Sequence, residues 1–178
     1  PMHKGAVAVG GQPLHGRLQD GGQAQGRHGE VGVAEQRLSD IIDHNTQALE
    51  KLIRYVGSLP PELRMVRIGS GQLPAYTHSN WNYFYRDGSV RERLERTYSS
   101  IGQTARELDV RLSMHPGQFT VLASDNDDIV KRSIDEFEYH CDMARWMGYG
   151  QKFQDMKINV HISGRRGPQG IRDVYNRL

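Results

Sequence analysis

The feature that most narrows the fold is an alternation. The apolar runs "RMVRIG" (64–69), "DVRLSM" (109–114) and "KINVHI" (157–162) begin 45 and 48 residues apart. A helical pattern precedes each. Leu38, Ile41, Ile42, Leu49, Leu52, Ile53 and Val56 fall on one stripe of a helix that Gly57 and Pro60-Pro61 end. Val90, Leu94, Tyr98, Ile101, Ala105 and Leu108 make a second stripe, opened by the capping-box pair Ser89 and Glu92. Val130, Ile134, Phe137, Cys141 and Ala144 make a third, capped by Asp125 or Asn126 and stopped by Gly148 and Gly150. Parallel strands need crossover helices, and the order α, β, α, β, α, β supplies them. The expectation is an α/β domain, either an open doubly wound sheet or part of a β/α barrel. No G-x-G-x-x-G follows a strand, which disfavours dinucleotide binding. A closed barrel takes eight strands and typically about 250 residues. Three strands can supply only part of one.

Residues 1–37 break this pattern. "GGQPLHGRLQDGGQAQGRHGE" holds no period, and nine of the chain's 20 glycines precede Val33. Such a segment cannot bury enough apolar area to offset its chain entropy. The expected organisation is therefore a low-complexity, disordered segment over 1–37 and a partial β/α-barrel domain over 38–178. Apolar residues make up 37% of the 178-residue chain, and the formal net charge is only +2. That balance permits a polyanionic partner without arguing for one. Cys141 is the only cysteine, so no internal disulfide forms and a reducing compartment is expected. No apolar run approaches the roughly 18 residues of a membrane span, and the start lacks the apolar core of a secretory signal. These features point to an intracellular protein without a membrane partner.

The chemistry concentrates in the histidines. His3, His15 and His28 lie in the low-complexity segment, and His44 and His140 within helices, as exposed or hydrogen-bonded side chains. His78, His115 and His161 differ: each follows or ends one of the three strands. Carboxyl ends of parallel strands form the active face of α/β folds. Three imidazoles delivered there suit a metal of the zinc, manganese or iron group. Alternation puts Asn159 with His161 on one strand face, and Arg111 and Ser113 with His115. In "LSMHPGQFTVL" (112–122) the chain turns on Pro116 and Gly117 directly after His115, throwing Gln118 and Phe119 onto the rim. Either Phe119 packs in the core, or the two form an exposed amide and aromatic pair able to stack on a base. Arg165 and Arg166 suit phosphate contact, or a solvated loop.

"RIGSGQLPAYTHS", "LSMHPGQFTVL" and "INVHISG", with "NTQALEKLI" before them, resemble the UV damage endonuclease family over roughly residues 38–178. The resemblance implies the N-terminal half of a TIM barrel carrying a cluster of divalent metals, usually manganese, at its carboxyl face. It implies an enzyme, a DNA repair endonuclease that nicks damaged double-stranded DNA on the 5′ side of ultraviolet photoproducts, working as a monomer. His78, His115 and His161 would be metal ligands, with His115 and His161 at the catalytic centre. Gln118 and Phe119 would be the pair that probes the lesion, where the family often has Tyr at the second position. The family's first strand is not recognisable in residues 1–37. Its remaining ligands (Glu, Asp, further His and a modified Lys) match nothing here, so the chain is expected to hold about half of a site. Two other classes stay open: a related β/α-barrel metal enzyme, of abasic-site endonuclease or sugar isomerase type, and a non-catalytic remnant.

Overall fold

The structure is a computed structural model that describes residues 27–152, 155–161 and 167–177. The first element, α1 (Arg27–Gly57), is followed by a single 3-10 turn at Pro61–Leu63 and the strand β1 (Met65–Gly69). A short helix α2 (Asn82–Arg86) leads into α3 (Gly88–Glu107) and the strand β2 (Arg111–His115). Then come α4 (Asp127–Trp146), the two-residue strand β3 (Lys157–Ile158) and α5 (Pro168–Arg177). The strands form one parallel sheet in the order β1-β2-β3, with Gly69 opposite His115 and Met114 opposite Ile158.

The period-two alternation of the strands divides the sheet into an apolar and a polar face. Val66, Ile68, Leu112 and Met114 are buried and face the helices. Met65, Arg67 and Arg111 alternate with them and stay exposed. The core beneath joins Ile42, Leu49 and Ile53 of α1 to Leu94, Tyr98, Ile101 and Ala105 of α3 and to Met143 of α4. Each Ile, Leu or Met among these contributes about 1.5–3 kcal/mol when fully removed from water. α3 and α4 meet closely, because at Gly102 a Cβ would overlap the carbonyl oxygen of Met147.

Both of these helices end in the same way before feeding the sheet. Asp109 (φ 53°) and Gly148 (φ 78°) adopt the left-handed conformation. The next amides then reach back, Val110 N–H to Ala105 O at 2.8 Å and Tyr149 N–H to Ala144 O at 2.9 Å. Gly148 carries out this turn at no steric cost, whereas Asp109 is one of the few non-glycine residues that tolerates it.

Several expectations need correction. Residues 27–37, expected to lack regular structure, are the first turns of α1; residues 1–26 lie outside the described residues. A helix already nucleated by the Leu38–Val56 stripe propagates at little cost. Gln36 bonds Asp40 one turn on. At the start of α3 the cap is Asp87, not Ser89: its carboxylate accepts the N–H groups of Ser89 and Val90. Asn126 caps α4 in the same manner. Ile134, expected inward, is 48% exposed; Ser133, Tyr139, His140 and Met143 take the buried face. Ser133 and His140 can be buried because each bonds a carbonyl one turn back, Ile129 O and Glu136 O.

The third strand is also shorter than the expected 157–162. Asn159 N–H still bonds Met114 O, but the β2 chain turns away at Pro116. Pairing resumes only at His161, which bridges Val121 in parallel sense. Between β1 and α3 the chain also forms the short helix α2. The Gly167-Pro168 break opens α5, with proline at its first position.

Candidate functional site

β2 ends on His115, and everything near it is held by the turn that follows. Pro116 and Thr120 are buried, while Gln118 is exposed and Phe119 is 85% exposed. Thr120 N–H closes the turn on Gly117 O at 2.9 Å. The Ser133 hydroxyl accepts Val121 N–H at 2.8 Å, fastening the exit of the turn to α4. The two exposed side chains therefore stand on an anchored turn, and the core-packed alternative for Phe119 is excluded.

His161 arrives from the other side. Its bridge to Val121 sets its ring against that of His115, centroids 4.7 Å apart and planes at 72°. Its Nε2–H donates to Pro116 O at 3.2 Å. A carbonyl can only accept, so the proton sits on Nε2 and the lone pair on Nδ1. The Nδ1 of His115 faces the side-chain amide of Asn159 at 3.3 Å. Burial, the nearby Arg67 guanidinium and His161 together lower the His115 pKa from its usual value. All three effects favour the neutral ring, the form that carries a ligand lone pair.

His78 is not gathered with this pair. It lies in the loop after β1, where its Nδ1 accepts the N–H of Asn80 at 3.2 Å. Among the described residues, no three His, Cys, Asp or Glu side chains stand close enough to hold a metal ion. The chemistry of the donors present nevertheless fits a divalent cation in part: two adjacent imidazoles at a strand-end rim, each with one nitrogen engaged by the protein. The loop after β1 is held by Tyr139 of α4, which accepts Leu73 N–H and donates to Ser70 O. Arg165 and Arg166 lie outside the described residues. The sequence reading missed Arg67, two residues before the end of β1 on the polar face, where strand alternation could have placed it beside His115. It noted the strand face of Asn159 without giving it a task.

A parallel α/β sheet with paired histidines and an anchored, aromatic-bearing turn at its carboxyl edge defines the class: a strand-end site of the kind β/α enzymes carry. The model of the UV-endonuclease UvdE family matches residues 27–173, and the chain belongs to that family. It is 28% identical over 138 residues to the UV DNA damage endonuclease of Clostridium perfringens (strain 13 / Type A), covering 78% of this chain and 31% of that protein. It is 26% identical over 133 residues to the UV DNA damage endonuclease of Bacillus anthracis (strain A0248), covering 75% of this chain and 39% of the other. The crystal structure of SacUVDE superposes with a TM-score of 0.64 at 28% identity, over 80% of this chain and 45% of that one. The matched part thus spans 31% to 45% of the length of these relatives. Among the described residues no helix is long and apolar enough to cross a membrane.

Proposed function

We propose that the chain forms part of a TIM barrel whose carboxyl rim takes part in nicking DNA 5′ to ultraviolet photoproducts with divalent metal, manganese first among candidates. The observation that carries this reading is the anchored turn: it joins the His115–His161 pair to an 85%-exposed Phe119 within a few residues. Family membership and the likeness to SacUVDE support the barrel and the substrate class.

In this reading His115, through Nε2, and His161, through Nδ1, hold metal, with His78 as a third ligand if its loop swings inward. A divalent ion there would supply Lewis-acid polarisation of water and phosphate oxygens. The chain's own residues do the rest. Pro116 O and Asn159 aim the two rings. Phe119 stacks on an exposed base and Gln118 offers its amide to the base edges, so damaged duplex is held with its backbone over the histidines. The partial donor set favours recognition over turnover in these residues by themselves.

The test is binding and nicking of irradiated, abasic and undamaged duplexes with and without Mn²⁺. The reading predicts tighter, manganese-enhanced binding to the irradiated duplex. Equal affinity for all three removes it, and a preference for the abasic duplex transfers the chain to the abasic-site class.

A further inference from the structure

Asn159 can do more than aim the ring of His115. Its backbone N–H donates to Met114 O at 3.0 Å, just beyond the last residue of β3. That bond sets its side chain beside His115, the amide nitrogen 3.3 Å from Nδ1. The two ends of a carboxamide have nearly the same shape, so a half-turn brings the oxygen to the same place. For the imidazole the two orientations differ completely. An amide N–H aimed at Nδ1 occupies its lone pair and leaves the ring proton on Nε2, which then has nothing to give a cation. An amide oxygen accepts from Nδ1–H and leaves the lone pair on Nε2.

We propose that Asn159 is a positioning residue that sets the tautomer of His115, its side-chain oxygen accepting from Nδ1–H so that Nε2 is the nitrogen offered to a divalent cation. This rests on the reading of His115 as a metal ligand. The arrangement mirrors that of the neighbouring ring, where Pro116 O fixes the proton of His161 on Nε2 and frees Nδ1. The two rings, 4.7 Å apart, then present opposite nitrogens. Contacts from outside the ligand set that fix tautomer and ring orientation typically change metal affinity by about 10- to 100-fold.

Asn159→Leu removes the acceptor at similar volume. Asn159→Asp keeps an acceptor and cannot donate, so it enforces the proposed tautomer. Two-bond proton–nitrogen correlation spectra of histidine-labelled chain, without metal and at about pH 8, above the ordinary imidazole range, read the tautomer directly. Calorimetric titration with Mn²⁺ reads affinity. The native chain is expected to show His115 protonated at Nδ1. Asn159→Leu is expected to shift the proton to Nε2 and weaken Mn²⁺ binding about tenfold, and Asn159→Asp to restore both. A native His115 protonated at Nε2 overturns the proposal whatever the variants do. Loss of Mn²⁺ binding in His115→Ala with no change of tautomer or affinity in Asn159→Leu keeps the ligand and removes the role of Asn159. Unchanged Mn²⁺ binding in His115→Ala removes the ligand reading, and this proposal with it.

Discussion

His140 shows how little a residue's type says about its setting. The sequence placed it inside a helix, exposed or hydrogen-bonded; it is fully buried, and its Nδ1–H donates to Glu136 O at 2.7 Å. That bond leaves the lone pair on Nε2, which finds no partner among the described protein atoms. Burial lowers its pKa below the ordinary 6.5; the Glu136 carbonyl opposes this and the nearby His115 adds to it. Because the folded pKa lies below the unfolded one, the unfolded chain binds more protons between the two values. Stability is therefore full above about 6.5 and declines as pH falls through that value toward the depressed one. His115, shifted the same way, adds a second contribution of the same sign. Urea denaturation at about pH 7 and about pH 5 should show this loss, with a shallower dependence in His140→Leu. An identical pH dependence in that variant would mean that His140 does not titrate on unfolding.

The turn at 116–120 was half legible at the scale of the element. Proline and glycine after a strand-end histidine announced a sharp reversal, but not which side chains it would bury. The answer lay in partners remote in sequence: Ser133 of α4 holds Val121, and Thr120 turns inward, which leaves Phe119 outside. The double variant Gln118→Ala, Phe119→Ala should therefore melt within about 2 °C of the native chain and bind Mn²⁺ as well, since surface changes rarely exceed about 0.5 kcal/mol. Its affinity for irradiated duplex should fall about tenfold or more, one stacked base contributing roughly 1–3 kcal/mol. A large drop in melting temperature with unchanged DNA affinity would assign both residues to the structure of the loop. The cap of α3 teaches a related lesson. Ser89 and Glu92 have the spacing of a capping box, yet Asp87, two residues earlier, takes the free amides. Local patterns locate a helix start more reliably than they name the residue that closes it.

For the molecule as a whole, the three-strand parallel order was readable from spacing alone, and the sheet runs β1-β2-β3 as the α/β alternation demands. What the spacing could not give was length. α1 continues back to Arg27 because propagation from an established stripe is cheap, and β3 stops at Ile158 because its partner strand has already turned. The same turn decides the site, bringing His161 against His115 and leaving His78 in a loop with contacts of its own. The exposed polar sheet face, with Arg67 and Arg111, is where a barrel would place its interior. The proposed function requires this edge of the sheet to bind a divalent cation through the histidine pair. Calorimetric titration of Mn²⁺ into the native chain, His115→Ala and His140→Ala tests it most directly. The account predicts binding by the native chain and by His140→Ala, and an affinity at least about tenfold weaker in His115→Ala. The same affinity in all three proteins would contradict it.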